Sequence, residues 1–139
     1  MTTTDRTDTA ALLLRLGLGT MFLAHGLTKV LVFTVPGTVS FFESIGYPAV
    51  FAYLVMFAEI AGGAALILGV WTRWVSLALV PVLLGAAAFH WGNGWVFSTK
   101  GGGWEYPIFL TLAALVQSLL GGGRFALKLP APFGLAERA

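Results

Sequence analysis

The sequence predicts an all-α membrane protein, a bundle of four transmembrane helices with a short interfacial helix between spans one and two. Three observations lead there. Of 139 residues, 58% are hydrophobic and only 10% are charged, against about 25% charged in an ordinary soluble domain. Mean hydropathy is +0.87. The apolar residues run in continuous stretches rather than alternating as barrel strands do. So few charges cannot cover a water-soluble surface, which excludes a soluble globular enzyme. Disorder is excluded by the same hydrophobicity. A net charge of +2 makes no nucleic-acid-binding face, so no nucleic acid partner is expected. With no cysteine, disulfides, CxxC redox chemistry, thiolate metal sites, c-type haem and iron–sulfur clusters are excluded.

A helix needs about 20 residues to cross the hydrocarbon core. Span one is expected at about 10–31, span two at 49–70, span three at 75–89 and span four at 106–120. The last two are short. One domain, 1–139, accounts for the chain. Pro36-Gly37 is expected to break the chain after span one, and Thr38 to Ile45, with Phe41, Phe42 and Ile45, to form the interfacial helix. Trp71 to Trp74 reads as a tight turn and the Gly-rich stretch Gly92 to Trp104 as a loop. Gly121 closes span four, and the tail with Pro130 and Pro132 reads as irregular. Pro81 is expected to kink span three. The lead-in to span one carries Asp5 and Asp8 beside Arg6, and no A-x-A-like site follows, so span one reads as an uncleaved anchor rather than a signal peptide.

Orientation follows from the basic residues. Arg6, Arg15, Arg73, Arg124, Lys128 and Arg138 fall on the side of the termini, Lys29 and Lys100 on the other. By the positive-inside rule both termini are cytoplasmic and the protein is integral to the cytoplasmic (inner) membrane. Trp91, Trp95, Trp104, Tyr47 and Tyr106 then form an outer aromatic belt, and Trp71 and Trp74 an inner one. The lipid bilayer is the first partner.

Ionisable groups at bilayer depth cost about 2.5–3.5 kcal/mol each on insertion scales, so each needs a reason. Arg15, His25 and Lys29 share a sector of roughly 120° with Gly19, Phe22 and Gly26, and this stripe is expected to face the bundle interior. Arg15, near the cytoplasmic edge, is expected to snorkel. Glu59 lies mid-span, with Gly62-Gly63 one turn on. His90 and Asn93 end span three, and Glu105 starts span four. Two imidazoles, an amine and two carboxylates should therefore converge. The same residues also fit a structural role: Lys29 paired with Glu59 or Glu105, and His25 and His90 donating to backbone carbonyls. A weak internal symmetry relates Gly19-to-His25-Gly26 to Gly85-to-His90 with Gly92.

In order and spacing, "LLLRLGLGTMFLAHGLTKV", "FAEIAGGAALILGVWTR", "AAAFHWGNGW", "WEYPIFLTLAAL" and "LLGGGRFALK" resemble the DoxX family of small four-helix membrane proteins. The resemblance runs from about Leu12 to Lys128. Its most specific pieces are Arg15, His25-Gly26-x-x-Lys29, Glu59-x-x-Gly62-Gly63, His90-x-x-Asn93-Gly94 and Glu105. Related sequences often close the final Gly-Gly-Arg motif with Asp, where this chain has Lys128. The resemblance implies a quinone-linked redox role, as a quinone-docking or anchor subunit of an oxidoreductase system in sulfur or oxidative-stress chemistry.

Quinone is thus the expected cofactor. Glu59, His25 and Lys29 are the expected catalytic residues, donating to the ring carbonyls or relaying protons. His25, His90, Glu105, Asn93 and Trp91 are the expected cofactor-binding residues, with Phe22 and Trp95 packing on the ring. A b-type haem on His25 and His90, or a metal on His25, His90 and Glu105, ranks below this, and no metal is expected. Without thiols, electrons must come from a cofactor or a redox partner protein. A homo-oligomer would suit the glycine-rich faces. The alternatives are a small transporter or permeation protein with a proton-titrating Glu59, and a non-catalytic assembly subunit.

Overall fold

The structure is a computed structural model that describes residues 2–130. Arg138 and Pro132, and so part of the expected domain 1–139, lie outside the described residues. Those that are described form helices and connecting turns. Helix α1 (Thr3–Leu27) opens on a reciprocal cap: Thr2 Oγ1 accepts from the Asp5 N–H at 3.1 Å, and the Thr2 N–H donates to Asp5 Oδ2 at 3.0 Å. It continues without a break into a π turn, Thr28–Val32. Helices α2 (Val35–Ser44), α3 (Ala49–Leu68), α4 (Thr72–His90) and α5 (Glu105–Leu120) follow, with a single 3-10 turn, Trp91–Asn93, extending α4.

Three segments, Thr3–Val32, Ala49–Leu68 and Thr72–Asn93, are long and apolar enough to cross a membrane, and α5 is a shorter apolar helix of 16 residues. The chain is therefore an all-helical membrane protein.

Two expected boundaries move. The break after span one falls at Thr34, not at Pro36-Gly37. Thr34 caps α2, accepting from the Gly37 N–H at 3.2 Å, and Pro36 lies in the first helical turn, where its missing N–H costs nothing. The turn between α3 and α4 is also tighter than Trp71 to Trp74. Gly69 adopts φ 79°, the Val70 N–H reaches back to Ala65 O at 2.8 Å, and α4 begins at Thr72. Helix α4 runs through Pro81, which carries no N–H for the Leu77 carbonyl.

The long helices form a closed ring in the order α1, α3, α4, α5, with α1 against α3 and α4 against α5 as the most extensive contacts. The α1–α3 contact is between backbones. A Cβ on Gly63 would lie 2.5 Å from the Leu23 nitrogen, and one on Gly26 would lie 3.0 Å from the Ile60 nitrogen. The small-residue stripe of α1 thus serves helix packing. Gly62 faces the other way, toward the Leu79 side chain of α4. At the ring's centre Leu18 and Phe22 of α1 pack with Leu66, Leu79, Leu83, Ala113 and Ala114. The internal symmetry does not extend to the glycines: Gly19 and Gly26 are wedged against α3, whereas Gly85 and Gly92 have open space around them.

Candidate functional site

The four long helices and α2 enclose a space beside the π segment that ends α1. Between them is a cavity of about 500 Å³. All five helices contribute to its wall, with Phe22, Phe41, Phe42, Phe51 and Phe89 giving it an aromatic lining. Helix α2 reaches α4 through an edge-to-face contact of Phe41 with Phe89, centroids 5.4 Å apart.

Polar groups enter this apolar chamber at four places. Lys29 Nζ donates to both oxygens of Glu59, at 2.9 and 2.8 Å, with Glu59 the more deeply buried partner. A lone charge there would be untenable, and the bidentate contact answers it. The π turn places the ammonium: Thr38 of α2, itself buried, donates through Oγ1 to the Lys29 carbonyl at 2.8 Å. His25 stands one turn before Lys29 and donates through Nδ1 to Met21 O at 2.7 Å. His90 enters from α4, its Nδ1 directed at the carbonyls of Gly101 and Gly102 at 2.9 and 3.2 Å. Tyr106, at the start of α5, donates to Met21 Sδ at 3.3 Å.

His25, Lys29, Glu59 and His90 therefore meet around one cavity. The other expected site residues are elsewhere. Asn93 Nδ2 donates to Gly101 O and Gly102 O at 3.0 and 2.9 Å, the carbonyls His90 also uses. Glu105 accepts from the Phe97 N–H at 2.8 Å. Trp91 stacks on Trp104 at 4.5 Å, and Trp95 meets Trp104 edge-on at 4.6 Å. These residues organise the loop beside the cavity, because a glycine-rich loop leaves many backbone groups for side chains to satisfy. The described residues contain no group of three or more His, Cys, Asp or Glu able to hold a metal ion.

Two participants were not legible in the sequence, and a third, Arg15, takes a different role from the expected one. Thr38 carried no signal beyond its place in a short helix. Tyr106 read only as a belt residue. Arg15 was expected to snorkel, but it is buried and donates to Leu66 O at 3.1 Å, to Ile67 O, and to Phe125 O at 2.9 Å. Its guanidinium caps the C-terminal end of α3, where free carbonyls carry partial negative charge, and ties the tail to it. Mid-helix arginine on a buried stripe was the available clue.

Comparison with known proteins places the chain. A protein of Bacillus subtilis (strain 168), provisionally named oxidoreductase CatD, is 38% identical over 79 residues, which cover 57% of this chain and 58% of that protein. The chain thus matches somewhat over half the length of that relative. No solved structure matches. The DoxX family model matches residues 10–91, a stretch holding Arg15, His25, Lys29, Glu59 and His90 and ending before α5. With more than half its length matched and these site residues inside the match, the chain belongs to the DoxX family.

Proposed function

We propose that this protein is a quinone-docking membrane subunit of an oxidoreductase system, with the cavity between the helices as its ring-binding site. The observation that carries the reading is a chamber of about 500 Å³ with aromatic walls, into which a fixed Lys29–Glu59 pair and two imidazoles project. That volume lies in the range of about 300–1,000 Å³ typical of small-molecule sites, which are mostly apolar with a few placed polar groups. A quinone head group matches such a site. The aromatic side chains of the wall would pack against the head group, Lys29 would offer its remaining N–H to a ring oxygen, and the pair with Glu59 would hold a proton beside it. The oxidoreductase label of the B. subtilis relative agrees with a redox role, and the resemblance stated above adds sulfur or oxidative-stress chemistry as its setting. With no cysteine in the chain, the electrons come from a bound cofactor or a redox partner protein.

Helix α5 serves as the fourth span. Its 16 residues are extended on the outer side by Trp104 and on the inner side by Gly121 to Gly123. Four crossings then put both ends of the chain on the cytoplasmic side of the inner membrane, where Arg6, Arg73, Arg124 and Lys128 cluster.

One observation favours a second reading. Lys29–Glu59 also ties α1 to α3, as a strut in an assembly subunit would. Purified protein is to be extracted and assayed for bound quinone, beside a Glu59→Gln variant. Co-purifying quinone that is lost in a still-folded Glu59→Gln protein supports the docking site. Loss of folding with no quinone in the parent protein supports the strut.

A further inference from the structure

Building on the quinone-site reading, we infer that the cavity selects the reduced, dihydroxy form of the ring over the oxidised, dicarbonyl form. The inference comes from which nitrogen of each histidine is already engaged. His25 Nδ1 faces Met21 O, and His90 Nδ1 faces Gly101 O and Gly102 O. A carbonyl oxygen only accepts, so in both rings Nδ1 carries the hydrogen. A neutral imidazole has one N–H, which leaves Nε2 with a lone pair in each. Neither Nε2 has a hydrogen-bond partner among the described residues. Both rings belong to the cavity wall, His25 on α1 and His90 on α4, helices diagonal to one another in the ring.

The rest of the wall does not reverse this polarity. The Tyr106 hydroxyl spends its hydrogen on Met21 Sδ and keeps an accepting oxygen. Lys29 commits two N–H groups to Glu59 and retains one. The chamber therefore offers two imidazole acceptors and a single ammonium N–H. A ring with hydroxyls on opposite edges gives one hydrogen to each imidazole and can still accept from Lys29. A dicarbonyl ring offers oxygens only. Packed against the wall, it would cover both accessible Nε2 lone pairs without giving either a hydrogen, and an unmade hydrogen bond is expensive once its atom is cut off from water.

The test is binding of decylubiquinol and decylubiquinone to the full chain in one mild detergent, anaerobically, by tryptophan quenching. The bis-methyl ether of the same ring serves as a donor-free control. The reduced form should bind at least about tenfold more tightly than the oxidised form, the equivalent of roughly one well-made hydrogen bond. The methyl ether should bind as weakly as the quinone. In a His25→Gln/His90→Gln variant the ratio should fall toward one, because an amide both donates and accepts. Equal or tighter binding of the oxidised form overturns this inference and leaves the quinone site standing. A preference that survives in the double variant overturns the assignment to the imidazoles. Failure of every ring to bind removes the quinone site itself.

Discussion

Arg15 and Glu59 are both buried ionisable groups, and they differ in what they satisfy. Arg15 caps backbone carbonyls at the end of α3 and holds Phe125 O of the tail. Arg15→Met removes hydrogen bonds from a charged donor, each worth about 1.5–3 kcal/mol. It should cost about 2–4 kcal/mol overall, read by thermal unfolding in detergent, without touching the cavity. Glu59 satisfies one side chain, Lys29. Removing a single partner of such a pair is far costlier, about 3–5 kcal/mol, than replacing both by apolar groups. Lys29→Met/Glu59→Leu should therefore recover most of the stability lost in Lys29→Met or Glu59→Leu alone, yet fail to bind a ring. Recovery of binding as well would show that the pair is only a strut. Glycines divide in the same way. Gly63→Ala forces a methyl into the Leu23 backbone and should destabilise by about 1–3 kcal/mol. Gly17→Ala, with nothing within 4 Å, should be neutral or slightly stabilising.

At the scale of the element, α2 is the part that makes a cavity out of a bundle. It is mounted between two positions of positive φ, Thr34 at 65° and Gly46 at 89°. Its buried Thr38 hydroxyl meets the Lys29 carbonyl in the π turn, where intrahelical pairing is irregular. The hydroxyl fixes both the height of α2 and the register of Lys29. Thr38→Val should therefore loosen α2 and weaken ring binding several-fold with little loss of global stability, whereas Thr38→Ser should retain both. Hydrogen exchange over residues 35–44 is the check, and unchanged protection in Thr38→Val would contradict it.

For the whole molecule, the prediction concerns topology. The chain has no cysteine, so single introduced thiols report sidedness without background. Ser98→Cys, in the loop between α4 and α5, should react with an impermeant maleimide in intact cells. Thr4→Cys and Leu129→Cys should react only after permeabilisation. If Leu129→Cys labels from outside together with Ser98→Cys, α5 does not cross and the four-span topology fails.

Sequence alone determined the class of solvent, the helical state and the approximate place of three spans, because apolar runs of about 20 residues have few other solutions in a bilayer. It also singled out His25, Lys29, Glu59 and His90, since ionisable groups at that depth stand out against an apolar background. Which of them met was a question for tertiary structure. Lys29 had two carboxylates in reach of the pattern, and the close α1–α3 contact through Gly26 and Gly63 delivered Glu59. Glu105 instead serves the loop, where the Phe97 N–H needed an acceptor. The part played by Thr38, Arg15 and Tyr106 was equally hidden, because each bonds a group far away in sequence or across a helix end. Helical periodicity gives the direction a side chain leaves its helix. The partner it finds depends on how close the next helix comes, and in this bundle the glycines on α1 and α3 set that distance.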